Sequence, residues 1–261
     1  MEGVDIVIHL AARAHVMDDQ SSDPLAEYRK VNVDGTAAVA EAASEAGVKR
    51  LIFLSSIKVN GEQTFETSYT ASDTPAPEDA YGISKAEAEK KLKEISDDTG
   101  LEPVIIRTPL VYGPGVRANF LSLMSVASCG LPLPFGAITK NRRSLIYIGN
   151  LVDILLTATQ HPAANGQIFL VRDGTDLSTA KLVHLLRAAL GKPARMMPVP
   201  PAVLGGLLSL LGKKSMADRL LGSLAIDDQA TQDTLEWTQP FSVEDGLKQT
   251  VDWYQAMKAK N

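Results

Sequence analysis

The chain has 261 residues and a mass of 28.0 kDa, enough for one large domain or two modest ones, and its 45% hydrophobic and 22% charged residues suit a globular protein with a sizeable core. A net charge of −5 excludes an extended surface for nucleic-acid phosphates, which needs clustered Lys and Arg. The single cysteine, Cys129, excludes an intrachain disulfide and suits a reducing cytoplasm, and the four scattered histidines offer no zinc-ligand spacing.

The elements then alternate. Residues 5–10 (DIVIHL) form a short apolar run fit for a strand buried on both faces. Asp23 and Pro24 cap and open a helix that is predicted to run to about Ala46 and stop at Gly47. A second strand is expected over 50–55 (RLIFLS), then a polar, Pro-rich loop over 56–80 and a charged amphipathic helix over 81–99, ended by Gly100. Residues 103–108 (PVIIRT) make a third strand. This order predicts an α/β fold with a doubly wound parallel sheet.

Further on, helices are expected over 119–129, 150–160 and 178–190, and strands over 167–171 and 195–199. Residues 131–136 (LPLPFG) must be an extended loop. Near the end, Ser242 and Asp245 make a variant capping box ahead of an apolar stripe of Val243, Leu247, Val251 and Tyr254. The longest apolar run, 203–211, has nine residues and two glycines against the ~20 of a spanning helix. A buried or interface helix is expected there rather than one lying on a membrane. The first residues lack the basic and long apolar regions of a signal peptide.

Chemistry concentrates in two places. Tyr81 and Lys85 stand at i and i+4 in YGISK, on one helical face. A phenol is protonated at neutral pH, and a nearby ammonium favours the phenolate, so the pair suits proton transfer in both directions. Ser55 and Ser56 end the second strand, and Ser56 precedes Tyr81 by 25 residues. Reacting groups collect beyond the carboxyl ends of strands in open α/β sheets. A hydroxyl placed there binds the same oxygen that the tyrosine protonates.

Six segments occur in order: HLAAR (9–13), NVDGT (32–36), LSSIKVNGE (54–62), YGISK (81–85), RTPLVYGPG (107–115) and RSLIYIGNLVD (143–153). In these the chain resembles the extended short-chain dehydrogenase/reductase superfamily, and within it the nucleotide-sugar epimerase/dehydratase branch. The resemblance implies a Rossmann-like sheet domain binding NAD or NADP and a C-terminal lobe holding a UDP-sugar. On that basis residues 1–112 are a partial dinucleotide-binding domain and 113–261 mainly a smaller substrate lobe, with about 143–171 returning to the sheet domain.

The resemblance also assigns roles. Ser56 polarises the sugar hydroxyl or ketone, Tyr81 exchanges its proton, and Lys85 holds the nicotinamide ribose and lowers the tyrosine pKa. Leu10, Ala11, Ala12, Arg13, Asn32, Ser55 and Pro109 are expected to line the cofactor. Lys58 falls among the substrate-binding positions, Asn119 and Arg143 match those that grip the diphosphate, and Leu133, Pro134 and Phe135 match the stretch beside the uracil. Guanidinium is a favoured partner of phosphate, although Arg143 also reads as part of a solvated basic run with Lys140 and Arg142. Asn119 reads equally as a helix cap.

Family members begin with a strand, a glycine-rich phosphate loop and a helix. This chain starts at what should be the fourth strand, and no GxGxxG precedes a helix. A fragment of a longer protein, a misplaced start and a shortened chain rescued by a partner are the alternatives, and a truncated representation of a longer enzyme is expected, with the edge of DIVIHL uncovered and NAD affinity severely impaired if these residues are all there is. Ser56-Ile57-Lys58 replaces the Thr-Asp-Glu of the 4,6-dehydratases, which removes the acid and base that dehydration needs. C4 epimerisation of a UDP-hexose or UDP-N-acetylhexosamine through a 4-keto intermediate is expected. The alternatives are reduction of a UDP-4-keto-6-deoxy-N-acetylhexosamine, and a non-catalytic nucleotide-sugar binder. Asn60 departs from the tyrosine, and Leu110 from the asparagine, found in many relatives. Helices near 24–46 and 81–99 are expected to pair in a homodimer.

Overall fold

The computed structural model describes residues 1–14 and 21–259. Strand β1 (Ile6–His9) is followed by α1 (Pro24–Arg29), a π-helical turn (Lys30–Asp34) and α2 (Gly35–Glu45). Asp23 caps α1 by accepting from the Ala26 amide at 3.1 Å, with Pro24 in the first turn. The single helix expected over 24–46 is thus interrupted. Its five π-helical residues carry Asn32, and such bulges recur at functional sites.

Strand β2 (Arg50–Ser56), α3 (Ala80–Thr99) and β3 (Glu102–Thr108) come next. Gly100, at φ 75°, ends α3 in the left-handed conformation that costs glycine least. The chain continues through β4 (Leu110–Tyr112), α4 (Ala118–Ser128), β5 (Leu145–Tyr147), α5 (Ile148–Gln160) and β6 (Ile168–Leu170). It ends in α6 (Thr179–Ala189), α7 (Pro201–Leu210), α8 (Lys214–Leu221), α9 (Gln229–Leu235) and α10 (Val243–Ala259).

The main sheet runs β1-β2-β3-β6, every neighbouring pair parallel, and β4 pairs with β5 alone. Residues of β2 and β3 alternate between two covered faces, as the period of two requires, whereas β1 lies at the sheet edge with Ile8 exposed and is not buried on both faces as expected. Leu51, Phe53 and Ile105 face Ala40, Ala43, Ala88 and Leu92 of α2 and α3. Ile52, Val104 and Ile106 face Ile154, Leu155 and Ala158 of α5. The fold is therefore α/β and doubly wound. A separate apolar cluster joins β4 and β5 to α4, α6 and α10 through Tyr112, Met124, Leu186, Leu247 and Val251.

Two expectations need correction, and two helices were not foreseen. No strand forms over 195–199; Met196 makes only an isolated bridge to Leu133, because Pro193, Pro198 and Pro200 interrupt the backbone donors. Helices α8 and α9, eight and seven residues long with no side-chain cap, were too short to read from sequence. The run over 203–211 forms α7, but Leu204 is its one buried residue.

Candidate active site

The parallel β2–β3 pair brings Ser55 opposite Arg107 and Ser56 opposite Thr108 at the carboxyl ends of the strands. Beyond it, Ser56 caps a short 3-10 turn (Ile57–Val59), its Oγ accepting from the Lys58 amide at 3.3 Å. Asp79 caps α3, with Oδ1 accepting from the Gly82 amide at 2.7 Å, while Oδ2 accepts from Lys58 Nζ at 2.5 Å. One carboxylate thereby pins the helix start to the turn. Gly82 is required at this approach, since a Cβ there would lie 2.8 Å from the Lys58 carbonyl oxygen.

The result is that the Tyr81 phenol is brought close enough to Ser56 and Lys58 for both to act on it. Burial raises the Tyr81 pKa; Lys58 and Ser56 pull it down, while Asp79 and Tyr28 add to the rise. Tyr28 packs edge-on against the phenol with centroids 6.1 Å apart. Lys58 is itself held by Asp79 and by Glu62 at 2.8 Å. Burial acts to lower its pKa, and the two carboxylates outweigh that.

Lys85 lies one turn further along α3 and is buried, with its ammonium 3.7 Å from the Phe53 ring centroid. Burial pushes it down to about 7 against the opposing field of Glu89. Among the described residues it makes no hydrogen bond or ion pair. The cation acting on the Tyr81 phenol is Lys58, carried by the 3-10 turn, while the Lys85 ammonium lies over the Phe53 ring.

Glu89 completes a stripe of 81, 85 and 89 on α3. Its carboxylate accepts from Ser55 Oγ at 2.5 Å and from Arg107 Nη2 at 2.6 Å, and Arg107 Nη1 donates to Asn60 Oδ1 at 2.9 Å. Ser55, expected beside the cofactor, is thus engaged in binding α3 to the sheet. Glu89 and Arg107 escaped the sequence reading, although the i+4 continuation from Tyr81 and Lys85 was visible.

On the β1 side, His9 Nε2 lies 3.0 Å from Thr36 Oγ1, and its ring stacks on Phe53 at 5.7 Å. Burial, then Lys85, lowers the His9 pKa. Asn32 clamps the loop after β1: it accepts from the Arg13 amide at 2.8 Å and donates to the Arg13 carbonyl at 3.1 Å and to Ser84 Oγ at 2.9 Å. Leu10, Ala11 and Ala12 are exposed along this loop, and Pro109 is buried between β3 and β4.

The other end is cationic. Arg143 is half-buried, and its side chain makes no hydrogen bond or ion pair among the described residues. Burial and the adjacent Arg219 of α8 hold its pKa down against the pull of Glu62. Arg219, invisible as a partner in sequence, bonds within its helix to the Ser215 carbonyl at 2.8 Å and Oγ at 3.0 Å. Asn119 is exposed inside α4 and does not cap it; Arg117 holds that position. Leu133 and Phe135 turn into an apolar cluster with Ile138, Val183 and Leu204, leaving Pro134 half-buried.

The sequence profile of the NAD dependent epimerase/dehydratase family matches residues 1–171. A UDP-glucose 4-epimerase of Vibrio cholerae is 51% identical over 252 residues, covering 96% of this chain and 77% of its own. The chain belongs to this family. A second relative of this family member is the N-acetyl-α-D-glucosaminyl-diphospho-ditrans,octacis-undecaprenol 4-epimerase of Escherichia coli O157:H7, 30% identical over 273 residues, covering 100% of this chain and 80% of its own. Among solved structures, the UDP-glucose 4-epimerase of Thermotoga maritima with UDP-glucose superposes with a TM-score of 0.75 at 22% identity, over 97% of this chain and 78% of that one. The UDP-glucuronic acid 4-epimerase of Bacillus cereus with NAD gives 0.76 at 19%, over 98% and 76%. Both show the same fold.

The residues present fit the ribose end of a nicotinamide dinucleotide. A desolvated ammonium with unused donors suits ribose hydroxyls, and the loop after β1, with exposed Ala11 and Ala12, is held by Asn32 on the same α3 side.

Proposed function

We propose that this family member interconverts the C4 epimers of a UDP-hexose or UDP-N-acetylhexosamine through a 4-keto sugar, with NAD or NADP as its cofactor. The contact between Tyr81 and Ser56, with Lys58 beside it, carries this reading. Ser56 hydrogen-bonds the C4 oxygen, and Tyr81 removes or returns that oxygen's proton. The raised pKa keeps the phenol protonated for delivery to a ketone, and Lys58 favours the phenolate needed for abstraction. The cofactor, when bound, accepts and returns hydride. Lys85 donates to its ribose, and Arg143 with Arg219 grips the diphosphate. Between the two proton transfers the keto sugar must turn its other face, so the grip falls on the diphosphate rather than the ring.

The Vibrio cholerae relative supports epimerisation over reduction, and membership of an enzyme family supports catalysis over simple binding. The test incubates the protein with UDP-glucose or UDP-N-acetylglucosamine and NAD and follows the C4 epimer by chromatography. Tyr81→Phe is expected to lower turnover by roughly a thousandfold with unchanged melting temperature. No epimer from either sugar under conditions where the protein binds NAD, or full activity in Tyr81→Phe, overturns the assignment.

A second reading replaces the nucleotide by another carrier. The Escherichia coli relative, aligned over the whole chain, is named for a sugar on undecaprenyl diphosphate, and the Arg143–Arg219 pair recognises the diphosphate common to both carriers. Assaying both donors decides between them. We also assign residues 1–112 to a cofactor domain and 113–261 mainly to a substrate lobe, place the reaction in the cytoplasm, and pair two copies through 24–46 and 81–99. Light scattering tests the pairing.

A further inference from the structure

The outer side of α7 has no partner in the fold. Val203, Leu207, Leu210 and Leu211 share one face at i, i+4, i+7 and i+8, with exposures of 60%, 54%, 87% and 61%. The flank next to this row packs through Leu204 and Leu208 against Leu133, Phe135 and Val183. A helix apolar all round belongs in a core or in lipid, and scattered exposed leucines need no explanation where a continuous row does.

Charge identifies what covers this row. At the end of α7 the chain turns through Gly212, at φ 70°, and presents exposed Lys213 and Lys214 beside the apolar face. Residues 192–222 carry five bases, Lys192, Arg195, Lys213, Lys214 and Arg219, against the single acid Asp218, in a chain whose net charge is −5. An apolar ridge with a basic rim on an acidic protein complements an anionic bilayer: leucines enter the acyl boundary, and lysine stems reach back to the headgroups. Two-fold pairing of the same ridge in a second copy would bring these basic rims together.

We propose that the α7–α8 hairpin seats the protein on an anionic membrane surface, with Val203, Leu207, Leu210 and Leu211 immersed and Lys213 and Lys214 at headgroup level. No described helix is long and apolar enough to cross the bilayer, so the contact is peripheral. Because α8 also carries Arg219 beside Arg143, docking brings the cationic end of the site close to the lipid surface.

Vesicle flotation tests this with the full chain. Wild-type protein is expected to float with vesicles of phosphatidylcholine and phosphatidylglycerol, and to be released by salt or by phosphatidylcholine alone. Leu207→Asn with Leu210→Asn, and separately Lys213→Glu with Lys214→Glu, should each weaken binding at least roughly tenfold. Turnover of soluble UDP-sugar should stay unchanged in both, which separates this result from any failure of the proposed reaction. Wild-type protein that stays unbound on anionic vesicles, or variants that float equally well, overturn the proposal. So does a dimer by light scattering that Leu210→Asn dissolves, which would give the ridge to a second copy.

Discussion

Lys58 and Lys85 flank the same tyrosine and are finished in opposite ways. Around Lys58 the chain supplies both counter-charges, Asp79 at 2.5 Å and Glu62 at 2.8 Å, and the lysine pKa rises despite burial. Around Lys85 it supplies an aromatic face and one acidic neighbour, Glu89, already engaged by Arg107 and Ser55; burial prevails. A cation satisfied by its own fold tunes a neighbour. One left desolvated is a donor made ready for a ligand, at a cost in stability.

The largest expected stability effect comes from dismantling the support of Lys85. Glu89→Ala leaves the Arg107 guanidinium buried and unpaired and should cost about 3–5 kcal/mol in urea unfolding. A loss below about 1 kcal/mol would mean that the pair does not hold α3 to the sheet.

Lys85→Met should do the reverse. Below pH 7 the folded and unfolded chains both carry the Lys85 proton, and the folded one bears the full burial cost. Between about 7 and the ordinary lysine value the unfolded state binds more protons, so wild-type stability recovers as pH rises. The variant should therefore be more stable than wild type below pH 7, by about 3 kcal/mol after loss of the contact with Phe53. This advantage should shrink toward pH 10, while cofactor binding is lost. A variant destabilised at pH 6 would break the contrast between the lysines.

Lys58→Met sharpens the contrast by rate. With that cation gone the Tyr81 pKa rises further, so the ascending limb of the pH–rate profile should move to higher pH. Turnover near neutrality should drop about tenfold and recover in alkali. If Lys85→Met moves that limb and Lys58→Met does not, the roles are reversed. The smallest change is expected at Arg29, whose ion pair with Glu87 is exposed and screened by solvent: Arg29→Ala should leave the urea unfolding midpoint nearly unchanged.

What could be read in advance was local. Asp23 before Pro24, Gly100 after α3, and Ser242 with Asp245 ahead of α10 are short-range capping chemistry, and each appears where the spacing put it. The apolar alternation of β2 and β3 fixed their two faces in the same way. Which lysine meets Tyr81 was not local, since it depends on the 3-10 turn after β2 approaching the start of α3. Arg219 joins Arg143 from a helix 76 residues away in the chain, and no periodicity records that encounter. Likewise an apolar run such as 203–211 has the same letters whether covered on one side or on both.

The most direct test follows the Lys85 ammonium by NMR of side-chain-labelled lysine across pH 5 to 10, with Lys85→Met for assignment and NAD added or withheld. The free protein should titrate at Lys85 near 7, and saturating NAD should move that midpoint upward as ribose hydroxyls satisfy the ammonium. A Lys85 midpoint already at the ordinary lysine value in the free protein, or one that NAD leaves in place, would contradict the account.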